Sequence, residues 1–101
     1  MKKRFVVLIE VSTEDQNVLM LEWIKSEAIG WWHWFQNIWL LSNKHGHLEA
    51  STIRDKVREI YGTANVLVLE IKGTEDTWSG YGPKGENRNM FTWLRSDWNG
   101  G

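Results

Sequence analysis

The chain has 101 residues, a net charge of −1 from 12 Lys and Arg against 13 Asp and Glu, no cysteine, and eight tryptophans. That length holds one domain, and the charge excludes an overall field that would draw it to nucleic acid or an anionic membrane. The lack of cysteine removes disulfides, thiolate metal sites and thiol nucleophiles, which suits a cytoplasmic protein.

The N-terminus, MKKRFVVLIEV, is basic and then apolar, but Glu10 ends the run and no small-residue cleavage site follows, so it reads as a strand and not a signal peptide. Phe5, Val7 and Ile9 alternate with Val6 and Leu8, so both faces are apolar, as in a central strand over residues 3 to 11. The Lys2-Lys3-Arg4 cluster is expected to be solvated. Ser12 and Thr13 offer capping hydroxyls, Glu14 and Asp15 favour the positive end of a helix dipole, and Val18, Leu21, Ile24 and Ala28 recur at helical spacing. A helix over about 13 to 28, stopped near Gly30, is predicted.

GWWHWFQNIWLLS, residues 30 to 42, is too long for one strand. A hairpin or bulge at Gln36-Asn37 predicts strands near 31 to 36 and 38 to 42. Strand alternation would send Trp31, His33 and Phe35 to one face, Trp32 and Trp34 to the other. Ser51 or Thr52 then caps a helix whose Ile53, Val57, Ile60 and Tyr61 share a side, Gly62 ends it, and NVLVLEI supplies a last strand. The order β-α-β-β-α-β predicts an α+β, ferredoxin-like four-stranded antiparallel sheet with both helices on one face and the other face open. Residues 1–72 form this core, and residues 73–101 a loop and tail packed on the same domain. A short helix near 89 to 95 docks on the sheet and residues 98–101 fray. No apolar run reaches the roughly 20 residues of a membrane span.

Several residues are candidates for chemistry. The rings of residues 31 to 39 are either core and interface material or a stacking surface for bases. His33 is either a packed imidazole held by a backbone hydrogen bond, or a proton shuttle or metal ligand. His45-Gly46-His47 lacks a third partner for a metal. Glu10 is a polar strand end or a carboxylate ligand. The loop GYGPKGENR, with Lys84 and Arg88, is a flexible segment or a phosphate contact, though it lacks the spacing of a P-loop.

GWWHWFQNIWLLS, STIRDKVREIYGTANVLVLEI, WSGYG and the closing FTWL together resemble the small bacterial and phage proteins of the SinR family, over residues 3 to 94. Those are similar to Cas2, the CRISPR-associated ferredoxin-like protein, and to VapD toxins. The resemblance implies a homodimer formed around the open sheet face. In nuclease members it further implies Mg²⁺- or Mn²⁺-dependent phosphodiester cleavage by an aspartate at the end of the first strand. Here VVLIEVST offers only Glu10 as a metal ligand, a departure that favours binding without catalysis and no cofactor. The implied function is a Cas2-like homodimer that binds nucleic acid or a nucleotide, with Trp31, His33, Trp78, Tyr81, Lys84 and Arg88 as ligand contacts. A metal-dependent endonuclease using Glu10, with His33 as the other catalytic candidate, and a protein-interaction subunit are the alternatives.

Overall fold

The computed structural model describes residues 1–73, 79 and 93–98. Its elements run β1 (Lys3–Ile9), α1 (Glu14–Ser26), β2 (Gly30–Phe35), β3 (Ile38–Asn43), α2 (Ala50–Tyr61) and β4 (Val66–Ile71), and a single π-helical turn spans Leu94–Trp98. The strands form one antiparallel sheet in the order β2-β3-β1-β4, the ferredoxin-like arrangement that the element order predicts.

Alternation in the strands divides the apolar residues between two faces. Phe5, Val7 and Ile9 of β1 and Trp39 and Leu41 of β3 pack beneath Met20 and Ile24 of α1 and Ile53, Val57 and Tyr61 of α2, forming the principal core. Both helices therefore cover the same face. The stripe of α1 that meets the core is centred on Met20 and Ile24, and Val18 stays half-exposed beside it.

Local chemistry explains each helix end. Thr13 caps α1 in a capping box: its hydroxyl accepts from the Gln16 N–H at 3.2 Å while the Gln16 side chain accepts from the Thr13 N–H at 2.8 Å. The helix stops earlier than Gly30. Ala28 takes the left-handed conformation at φ 55°, its N–H bonds to the Lys25 carbonyl, and the Ile29 N–H bonds back to Ile24, a Schellman closure with alanine in the position glycine prefers. Gly30 begins β2 instead. The second helix also starts differently from the sequence expectation, at Ala50, with Ser51 and Thr52 inside its first turn. Its N-cap, Glu49, makes no capping bond because its carboxylate is engaged by Lys3, whose ammonium donates to it at 2.8 Å and to the Leu48 carbonyl at 3.0 Å. That ammonium holds the Glu49 carboxyl below the usual carboxylate range. Gly62, at φ 68°, ends α2 as predicted.

The second sheet face is not fully open. Trp93, Leu94 and Trp98 pack over Trp32, with Val6, Trp34, Leu40 and Ile71 around them, and Trp98 is buried where a frayed end was expected. Arg4 is the reason. It points to this face, its guanidinium lies 5.3 Å from the Trp98 ring centre, and it donates to the Trp98 carbonyl at 3.4 Å and to the Gly73 carbonyl at 2.5 Å. A planar cation can satisfy carbonyls and stack on an indole together, so the residue expected to be solvated is buried as a clasp. Past this cover, Leu67 and Leu69 on edge strand β4 remain half-exposed.

Two substitutions test these features. Arg4→Ala should cost about 2 kcal/mol through lost charge-assisted bonds, with red-shifted tryptophan emission in native buffer, and Arg4→Lys should recover only part of either. Ala28→Gly should raise the urea midpoint, corresponding to about 1 kcal/mol from relief of the left-handed alanine.

Candidate functional site

The hairpin of β2 and β3 turns at Gln36-Asn37, and its register carries a bulge. Trp32 faces Leu40 and Phe35 faces Ile38, so two residues of β2, His33 and Trp34, stand against Trp39 alone. The extra residue corrects the simple alternation of rings. Phe35 is shifted to the second face, where it meets Trp32 at 5.5 Å and Trp34 at 6.4 Å between ring centres. Trp31 and His33 stay on the helix-covered face, which brings together two of the expected ligand contacts.

His33 lies flat on Trp39, with ring centres 3.5 Å apart and planes 6° from parallel, and Trp31 meets the same indole at 6.2 Å and 59°. Trp39 is buried under them, whereas His33 and Trp31 are half-buried. Because β2 is an edge strand, these rings lie at the margin of the helical layer. The result is a cleft of about 500 Å³, walled on one side by Glu14, Asn17, Val18 and Leu21 of α1 and on the other by Trp31, His33, Gln36 and Trp39.

A polar network ties the lining residues Asn17 and Gln36 to their neighbours. The Ser12 hydroxyl donates to Asn37 Oδ1 at 2.6 Å, and Asn17 Nδ2 lies 3.3 Å from Ser12 Oγ and 3.5 Å from the Gln36 carbonyl. The Gln36 side-chain amide donates to the Ser12 carbonyl at 3.3 Å. Asn17 Oδ1 accepts from the Tyr61 hydroxyl at 2.7 Å, which links the network to α2. Burial pushes the Tyr61 hydroxyl up to about 12; the Trp39 indole N–H acts in the opposite direction, although among the described residues it meets no partner in good hydrogen-bond geometry. Tyr61 is therefore a neutral donor near pH 7.

His33 Nε2 lies 2.9 Å from the Gln36 carbonyl. A carbonyl only accepts, so Nε2 carries the proton and Nδ1 is left as an acceptor. Burial lowers the imidazole pKa and the bond to the Gln36 carbonyl partly offsets this. His33 is thus a neutral, stacked ring with one face against Trp39.

Glu10 lies elsewhere. It borders a shallow depression of about 400 Å³ with Leu8, Ile38, Asn65 and Leu67, and does not line the His33 cleft. Its carboxylate accepts from the Asn65 N–H at 3.2 Å and its own N–H donates to the Asn65 carbonyl at 2.9 Å, a reciprocal pair that sets the start of β4. Among the described residues no three His, Asp or Glu side chains are placed to hold a metal ion. One carboxylate with a backbone bond does not fit the several-oxygen shell of Mg²⁺ or Mn²⁺, and no cleavage step is derived through it. His47 approaches Asn43 at 3.4 Å and Glu27 at 3.8 Å, and its ring centre is 6.4 Å from that of His45. Trp78, Tyr81, Lys84 and Arg88 lie outside the described residues. Among the described residues no helix is long and apolar enough to cross a membrane.

Asn17, Gln36 and Tyr61 are site residues that the motifs did not single out. Their signal in the sequence was weak: an asparagine within a predicted helix stripe, and a glutamine in a turn. The chain matches no family model, no curated protein and no solved structure.

The lowered pKa of His33 predicts acid sensitivity. As pH falls below the ordinary value of 6.5, the unfolded chain binds a proton that the folded chain resists, so stability is lost through the folded pKa. His33→Phe keeps an aromatic stack without titrating, and its thermal midpoint should fall less steeply than wild type between pH 7 and pH 5.

Proposed function

We propose that this chain is a non-catalytic, Cas2-like homodimeric module that binds nucleic acid or nucleotides by stacking a base in the cleft beside β2. The observation that carries this reading is the parallel pair of His33 on Trp39, 3.5 Å apart at 6°, which presents an aromatic bed inside a cleft of about 500 Å³. Aromatic faces bind bases with little regard to sequence, at about 1–3 kcal/mol per base. Trp31 supplies a second, tilted ring, and Val18 and Leu21 supply apolar walls. Strand order supports the ferredoxin-like arrangement and no more than the fold, since one fold carries many functions.

Dimerisation is a part of the reading supported by the exposed apolar residues. Leu67 and Leu69 lie on an edge strand, and Leu8 and Ile38 border the neighbouring depression. Among the described residues no strand pairs with this apolar edge, and such an edge is a surface that proteins normally cover or charge. Partnering with a second copy would cover it in cytoplasmic solution.

Tryptophan fluorescence is the direct test. Titration with single strands, duplexes and mononucleotides should quench emission, and His33→Ala should weaken the binding about fivefold to a hundredfold, the loss expected for one stacked base. No quenching with any of these ligands sinks the proposal. Light scattering should report twice the monomer mass. Mg²⁺-dependent cleavage that disappears in Glu10→Ala would replace this reading with the endonuclease one.

A further inference from the structure

The polar atoms of the cleft restrict what can be stacked there. Asn17 is engaged at both ends of its amide, by Tyr61 at Oδ1 and by Ser12 and the Gln36 carbonyl at Nδ2. The Gln36 amide nitrogen donates one N–H to the Ser12 carbonyl, which leaves a second N–H as a donor and Oε1 as an acceptor. His33 Nε2 is committed to the Gln36 carbonyl, which leaves Nδ1 as an acceptor as well. Glu14 adds a carboxylate to the wall. Trp31 and Trp39 add indole N–H groups to the lining, which among the described residues contains neither lysine nor arginine.

Among the described residues the site is therefore aromatic, with the Glu14 carboxylate as its charged side chain. Among the described residues a phosphate meets no cationic side chain there, and a base whose edge presents acceptors would face the carboxylate unfavourably. Resting on the stacking function above, we propose that the cleft selects a guanine base, with its face on His33, its Watson–Crick edge against Glu14, and its sugar and phosphate directed to solvent. Guanine is the common base that offers two adjacent donors, N1–H and the 2-amino group, on one edge, and a carboxylate accepts such a pair in parallel. Adenine and cytosine each set a ring acceptor beside their single amino group, and uracil has one donor between two carbonyls. A lone guanidinium shares guanine's donor pair. The cleft volume, however, lies in the range of sites for whole small molecules, about 300–1,000 Å³, and its apolar walls suit the faces of a bicyclic ring.

Calorimetric titration with guanosine, GMP, inosine, AMP, CMP, UMP and methylguanidine tests this. Guanosine and GMP should bind within about threefold of each other, and at least tenfold more tightly than inosine, AMP, CMP or UMP. Glu14→Gln, at an exposed helix position and checked for folding by circular dichroism, should remove most of that preference. Equal binding of all nucleotides, with Glu14→Gln neutral, overturns the guanine assignment and leaves base stacking standing. Tighter binding of methylguanidine than guanosine overturns it in favour of an arginine side chain. Failure of every nucleotide to bind overturns the stacking function itself.

Discussion

A sheet that is apolar on both faces needs two covers, and the two helices of this chain supply one. Much of the rest follows from that shortfall. β1 and β3 carry Phe5, Val7, Trp39 and Leu41 toward the helices and Val6 and Leu40 away from them. The second set is closed by three residues from the far end of the chain, Trp93, Leu94 and Trp98, held down by a cation from the first strand. What those residues do not reach stays exposed on β4, and what the helices do not reach becomes the cleft beside β2. The cleft and the apolar edge are both products of incomplete cover, at opposite margins of the same sheet.

The chemistry of the cleft depends on one residue of register. Without the bulge, Phe35 would be expected to share the helix-side face with Trp31 and His33, crowding the bed with another ring. With it, Phe35 joins Trp32 and Trp34, and His33 is the last ring on the helix-covered face before the turn. The nearby carbonyl of Gln36 is then within reach of Nε2, which fixes the tautomer. Backbone irregularity, ring stacking and proton position thus form a single chain of causes.

The strands and helices were legible because their signals are local: apolar alternation in β1 and β4, hydroxyls and acids before α1, glycine after α2. The details that failed were those decided by distant groups. Arg4 in a Lys-Lys-Arg run reads as solvated, because the indole that buries it lies 94 residues away. Ala28 gives no sign of a left-handed terminus, since alanine rarely adopts one, and only its hydrogen bonds reveal it. Glu49 displaced Ser51 and Thr52 as the cap because Lys3 tethers that loop from another strand. The aromatic run announced stacking without revealing which rings would be exposed. That depended on a bulge and on where the helix layer ends, and neither has a residue signature.

The clasp between Arg4 and Trp98 also has a consequence for synthesis. A ribosome delivers β1 first and Trp98 near the close of the described chain, so the helix-covered half can assemble while the other side of the sheet still lacks its lid. At about 5–20 residues per second, the interval between β4 and Trp98 lasts about one to five seconds. During that time Trp32, Leu40 and Val6 are bare to other nascent chains and to chaperones. The maturing protein therefore passes through a sticky adolescence whose length is set by translation speed.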